Sequence, residues 1–157
     1  RIVATASRTP ELAAIAIMRW PKPLLQRHLD KIIEATSESP AHSLLAGVDC
    51  KLLEKAHIDK LIAGIEKSPQ ESYNAVLVWS KEMWEPYIDR LLNSVLTSPR
   101  FCMLSWVMWP REIVSPHEDK IVNMVCTQPL FVHLAGELWP ADMLNAHSKK
   151  LLDCKTK

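Results

Sequence analysis

Pairs of adjacent aliphatic residues recur along this chain about every 30 residues, each pair directly after a basic residue. The five pairs are Ile32–Ile33, Leu61–Ile62, Leu91–Leu92, Ile121–Val122 and Leu151–Leu152. In the fourth copy Val125 extends the spacing to i, i+1, i+4, which places the three side chains on one face of a helix. Each period is therefore predicted to contain one helix with a single buried stripe.

A second helix is predicted in the first half of each period. Five prolines mark its start, and four of them follow Ser or Thr, a combination typical of an N-cap and the first helical residue. The prolines are Pro10, Pro40, Pro69, Pro99 and Pro129. About ten residues follow that are apolar around most of the helix, as in PELAAIAIMRW, so we expect this helix to be buried between its neighbours. Ten residues after each proline, a column of Trp20, Cys50, Trp79, Trp109 and Trp139 marks its end.

These patterns predict an all-α fold: one domain forming a right-handed α-α superhelix (solenoid) of five repeats. The predicted repeats are 9–38, 39–67, 68–97, 98–127 and 128–157, preceded by residues 1–8 as the tail of an earlier repeat. The period and architecture resemble the HEAT and armadillo repeats, and more loosely the leucine-rich variant repeats. That resemblance implies a concave surface that binds a partner. Because neither end carries a polar capping unit, we expect the array to continue or its ends to pack on another chain.

Prolines also divide the second half of two repeats. Pro86 and Pro116 predict a short helical turn before the second helix, whereas in repeats one, two and five, which have no such proline, the two pieces are expected to fuse. The stretch SPHEDKIV, residues 115–122, contains a histidine, two acidic residues and a lysine in consecutive positions. We interpret it as a helix start in which Ser115 is the N-cap and Glu118 completes a capping box.

Two columns at the start of the second helices are the candidate partner-binding face. The first column is His28, His57, Tyr87, His117 and His147, and the second is Lys31, Lys60, Arg90, Lys120 and Lys150. Histidines one repeat apart cannot share a zinc ion, and the Asp two residues after most of them points away on a helix, so neither metal binding nor catalysis is predicted. The basic residues either reach the Asp of the adjacent repeat in an ionic ladder or form a row that binds anions.

The tryptophan column has two interpretations as well. Its indoles could clamp a peptide or stack on bases, or each could fill the seam between two repeats. The small residue Cys50 in the same column favours the seam. Trp106 lies outside the column, in the middle of a first helix, and is predicted to belong to the core.

Composition limits the functions further. The chain has 157 residues, with 19 basic against 18 acidic residues, so net charge gives no reason to expect a polyanion partner. The four cysteines form no C-x-x-C motif, the three glycines form no phosphate loop, and no cofactor is predicted. Reduced, mostly buried cysteines, with no visible signal peptide or transmembrane segment, predict an intracellular, cytoplasmic protein without membrane contact.

The favoured function is a non-enzymatic scaffold for a protein or peptide partner. The alternative is a helical-repeat protein that binds nucleic acid, because TPELAAIAI at residues 9–17 resembles the opening of a TAL-effector repeat. The chain differs from that repeat in having tryptophan at the base-reading slot and in lacking a Gly-Gly pair. A HEAT-like base-excision glycosylase would need a unique acid in a basic, aromatic cleft, and the sequence contains none of that kind.

Overall fold

The computed structural model describes residues 2–155, with side chains from Ala4 onward. Across these residues the chain forms only α-helices and 3₁₀ turns, which confirms the predicted all-α helical-repeat fold. The chain divides into two compact units, residues 1–91 and 92–157. The predicted repeat boundaries remain predictions, and Arg1, Thr156 and Lys157, at the outer ends of the predicted tail and fifth repeat, lie outside the described residues.

In the first unit, first and second helices alternate and pack on their neighbours. The helices are α1 (Ile2–Ala6), α2 (Pro10–Arg19), α3 (Lys22–Thr36), α4 (Pro40–Asp49), α5 (Lys55–Ile65), α6 (Pro69–Val78) and α7 (Lys81–Trp84), followed by the 3₁₀ turn Glu85–Tyr87 and the start of α8 (Ile88–Val95). Helix α2 packs on α3 within its repeat and on α4 of the next, and α4 likewise packs on α5 and α6. Repeats one and two therefore bury their apolar stripes against the following repeat.

The second unit repeats this arrangement. Its helices after α8 are α9 (Pro99–Met108), α10 (Arg111–Val114), α11 (Glu118–Val125), α12 (Pro129–Leu138), α13 (Ala141–Ala146) and α14 (Ser148–Lys155), with a 3₁₀ turn at Ser115–His117. Helix α9 packs on α11 and α12, and α12 packs on α14.

Every first helix begins at the proline that the sequence indicates. The residue before each proline is extended, as an N-cap requires, and the side chains of Thr9 and Ser68 accept a backbone N–H of the first turn. Ser39 and Ser98 stand at the same position without that bond. The helix start is therefore fixed mainly by the conformation of proline, which lacks the N–H that would be left unpaired there.

The second helices differ more from expectation. The two pieces fuse in repeat one, where α3 is continuous, but the predicted fusion is wrong in repeat five, where α13 and α14 remain separate. In repeat two, residues 50–54 form no helix at all before α5 begins at Lys55. Repeat two is one residue shorter than the others in this segment, and Cys50 is not followed by the proline that precedes the next helix in repeats one, four and five.

The predicted capping box at Ser115 is also wrong. Ser115 has helical backbone angles and ends α10, and the chain continues through Pro116 as a 3₁₀ turn into α11. Proline is tolerated in the first turn of such a helical segment, so it does not force an extended residue before it here. The carboxylate of Glu118 is consequently free to bond to another repeat.

Candidate partner-binding surface

Trp79 joins repeat three to repeat two. Its indole N–H donates to the carbonyl oxygen of Leu44 at 2.9 Å, and its ring lies against Gly47 on α4. A Cβ built on Gly47 would lie 2.0 Å from Trp79 Cε2, so the close approach requires glycine. Only 5% of Trp79 is exposed.

Trp139 makes the equivalent contact in the second unit. Its indole N–H donates to Met103 O at 3.0 Å, and Met103 occupies the same position in repeat four as Leu44 in repeat two. The residue corresponding to Gly47 is Trp106, a predicted core residue that is buried, and the two ring centroids lie 6.3 Å apart. Trp109 is buried as well, whereas Trp20 is half-buried. The structure thus favours the seam interpretation of the tryptophan column.

His57 links two repeats through both ring nitrogens. Nδ1 accepts the backbone N–H of Glu54 at 3.0 Å, so Nε2 carries the proton and donates to Asp30 Oδ1 at 2.9 Å. The Glu54 side chain accepts the backbone N–H of His57, which completes a capping box at the start of α5. His57 therefore fixes a helix start and holds repeat two to repeat one.

The same column makes corresponding bonds elsewhere. The Tyr87 hydroxyl donates to Asp59 of the preceding repeat, and His147 Nε2 bonds to Glu118 of the preceding repeat. In each case the acceptor is an acid that follows the previous column position by one or two residues. These bonds form an inter-repeat ladder whose donors are His57, Tyr87 and His147 rather than the lysines of the predicted basic column.

Arg90 is the member of the basic column that does bond to the preceding repeat, through two hydrogen bonds of 2.7 and 2.9 Å to the Glu66 carboxylate. This pairing lowers the pKa of Glu66. Within residues 2–155, the other four members make no ion pair: Lys31, Lys60, Lys120 and Lys150. Lys31, Lys60 and Lys120 are exposed, and Lys150 is half-buried. In the His and Tyr column, His28 and His117 are half-buried as well.

We expect the alkaline titration of the two tyrosines to report this packing. Burial and the bond to Asp59 raise the pKa of Tyr87 to about 12, and burial raises that of Tyr73. A raised pKa in the folded state means that Tyr87 contributes stability below its unfolded pKa of about 10, which is lost as pH rises through about 12. Phenolate absorbance should therefore lag that of free tyrosine, and Tyr87→Phe should remove the last step. A single transition with the free-tyrosine midpoint, in protein still helical by circular dichroism, would contradict the packing.

Exposed apolar side chains stand in the last turn of each first helix, contrary to the expectation that these helices are buried between their neighbours. We call these side chains the apolar row. In the first unit it comprises Met18, Val48, Leu77 and Val78, and in the second Val107, Met108 and Leu138. All seven stand eight or nine residues after the repeat's proline and are between 39% and 55% exposed. Of the large apolar side chains found exposed in the described chain, only Leu152 is outside a first helix.

The packing explains why this row is exposed. A first helix touches its own second helix on one side and neighbouring first helices on its flanks, so its remaining face meets solvent. The sequence signal was present, because a helix that is apolar all round exposes apolar residues wherever one face has no neighbour. Exposed large apolar side chains that recur on neighbouring helices of one unit are typical of an interaction surface.

A groove interrupts the apolar row in the first unit, between α4 and α6. It has a volume of about 420 Å³, and Val48 and Val78 of the row line it together with Cys50, Leu53 and Met83. It lies beside residues 50–54, the irregular segment of repeat two, which contributes Cys50, Lys51 and Leu53 to its lining. The groove can accept one large apolar side chain of a bound segment.

No group of three or more His, Cys, Asp or Glu among the described residues is placed to hold a metal ion. Within residues 2–155, no helix has both the length and the apolar character that crossing a bilayer demands. Cys50 and Cys102 are buried and Cys126 and Cys154 half-buried, and none forms a disulfide.

Comparisons of the chain with protein-family models, curated proteins and solved structures find no match. The geometry of the surface is therefore the basis for the function proposed below.

Proposed function

We propose that this chain is a non-enzymatic scaffold that binds a protein or peptide segment on the part of the apolar row that lies in the first unit. The observation that carries the proposal is the repetition of exposed apolar side chains at one pair of helix positions, from Met18 to Leu138. Leaving such side chains in water costs free energy of roughly 25 cal/mol per Å², which a partner that covers them would recover. The groove beside Val78 supplies a pocket for an anchoring side chain.

The predicted binding face at the start of the second helices contributes less to this proposal. His57 and Tyr87 are buried and, with His147 and Arg90, are bonded to the preceding repeat. The exposed lysines Lys31, Lys60 and Lys120 remain available for an anion, which keeps nucleic acid as the alternative partner. A protein that relied on them would lose affinity steeply as salt rises, because binding would release counterions from the phosphates.

Disrupting the apolar row should weaken peptide binding without unfolding the chain. We expect peptides enriched from a displayed random library on the wild-type protein to bind the double variant Leu77→Asp/Val78→Asp at least about tenfold more weakly, as loss of anchoring contacts at an interface does. Both side chains are exposed on α6, so helical content should be unchanged. Fluorescence anisotropy with the labelled peptide measures the affinity.

The matched control is Lys31→Gln/Lys60→Gln, which alters net charge by the same amount on the other surface. It should bind the peptide as the wild type does. Loss of binding in this control with retention in Leu77→Asp/Val78→Asp would overturn the assignment of the surface, and so would a library that yields no enriched peptide. A shift of mixed DNA and RNA in a gel at low salt, lost in Lys31→Gln/Lys60→Gln, would favour the nucleic-acid alternative.

A further inference from the structure

The outer face of the fifth repeat carries the residue types that form the inter-repeat interface in the earlier repeats. Leu152 is the second residue of its aliphatic pair and is 62% exposed. Its four equivalents are at most 2% exposed: Ile33, Ile62, Leu92 and Val122. In repeats one, two and four, the first helix of the following repeat packs against the second helix that carries this residue.

Gly136 on α12 stands at the position that Gly47 occupies on α4, seven residues after the repeat's proline. A Cβ on Gly47 would penetrate the ring of Trp79, whereas one on Gly136 would meet only Lys155 Nζ, at 3.5 Å. The carbonyl that corresponds to Leu44 O, the acceptor of the Trp79 indole, belongs to His133. Among the described residues, the position over Gly136, which we call the Gly136 slot, is therefore covered only by the end of the Lys155 side chain.

The polar residues of this face include a basic one, whereas their equivalents in the earlier repeats are acidic. Asp30, Asp59 and Glu118 accept a hydrogen bond from the next repeat's His or Tyr, but the corresponding residues of the fifth repeat are Ser148 and Lys149. Lys149 is exposed and makes no ion pair among the described residues. A group opposite Lys149 should therefore be an acceptor, ideally a carboxylate.

A second copy of this chain does not meet these requirements. Its repeat one would bring His28, not an acid, opposite Lys149. In the second copy, α1 packs on α2 and has the position in the repeat that the end of a second helix, such as residues 121–125, has elsewhere. If that copy stacked its repeat one on this face, its α1 would therefore occupy the space of α14. The interface calls for a different segment.

We propose that the face formed by Gly136, Leu152 and Lys149 docks a helix pair of a separate partner protein, one whose first helix ends in tryptophan and whose second helix places an acidic residue opposite Lys149. The indole enters the Gly136 slot and donates to His133 O, as Trp79 does to Leu44 O. The partner's apolar side chains cover Leu152. The acidic residue replaces the His or Tyr of the chain's own repeats.

The chain's own third repeat provides the probe. A labelled synthetic peptide of residues 68–80, which contains α6 and Trp79, should bind the full-length protein, and its Trp79→Ala form should bind roughly tenfold more weakly. Gly136→Leu fills the slot and should weaken binding of the wild-type peptide by a similar factor. Leu152→Asp should do the same through the apolar face. Asn93→Leu, an exposed change on α8, is the control and should have no effect.

Longer peptides of residues 68–92 test the charge. The Tyr87→Glu form should bind a few-fold more tightly than the parent peptide, and Lys149→Asp in the protein should reverse that preference. Absence of binding by residues 68–80, or binding indifferent to both Gly136→Leu and Leu152→Asp, would overturn the proposal. So would self-association of the protein in sedimentation equilibrium that Gly136→Leu abolishes, because the occupant would then be a second copy. None of these outcomes depends on Leu77 or Val78 of the protein, so the result is distinguishable from a failure of the apolar row.

Discussion

Replacing Trp79 with alanine is expected to lower the free energy of unfolding by about 3–5 kcal/mol, the range for removing a fully packed tryptophan. The ring is 5% exposed, fills the space over Gly47 and donates its N–H to Leu44 O, so its loss leaves a cavity between repeats two and three and removes the hydrogen bond. For a chain of this length that corresponds to a decrease of roughly 10 °C in the melting temperature. Urea denaturation followed by circular dichroism measures the change.

Trp20→Ala is the matched control for this prediction. Trp20 occupies the same column but is half-buried, so truncating it should cost less than half as much. Equal losses for the two variants would mean that the column does not act as the seam between repeats.

The same substitution at two glycines is expected to have opposite effects. Alanine is favoured over glycine inside a helix by about 0.5–1 kcal/mol, so Gly136→Ala, where the new methyl group meets only Lys155 Nζ, should stabilise the protein by up to that amount. Gly47→Ala should destabilise it by about 1–3 kcal/mol despite that gain, because its methyl group would overlap the Trp79 ring and force the seam apart.

A double-mutant cycle isolates the contact. Trp79→Phe makes the ring smaller, so the penalty of Gly47→Ala should be partly relieved in that background, with a coupling of at least about 0.5 kcal/mol. Stabilisation by alanine at both glycines, or strict additivity with Trp79→Phe, would contradict the described approach of the indole to α4.

The local signals in the sequence predicted the first helices well. A proline after Ser, Thr or Gln sets the start of each, since the required backbone conformation is decided by two adjacent residues. The stretch around Ser115 contains the same signal, yet there the backbone stays helical through Pro116, because α10 directly precedes it. The Ser-Pro dipeptide is the same at Ser115 as at the starts of first helices, so the different backbone conformation at Ser115 comes from the helix that directly precedes it.

The candidate site was less predictable because it depends on which faces the packing leaves uncovered. The conspicuous columns, such as His57 and Trp79, hold repeats together, and their partners lie about 27 to 35 residues away along the chain. The apolar row has no motif and becomes visible only when Val78 and its equivalents are found exposed. The groove beside it arises from one missing residue in repeat two, whose structural effect the spacing alone could not specify.

Site-specific photo-crosslinking tests the central claim, that the apolar row rather than the basic column contacts the partner. Benzoylphenylalanine is placed in turn at the exposed positions of Val78 and Lys60, and each protein is irradiated with the library-selected peptide. The proposed surface predicts a covalent product from the position of Val78 and none from that of Lys60. A product from the position of Lys60 alone would contradict the proposed surface.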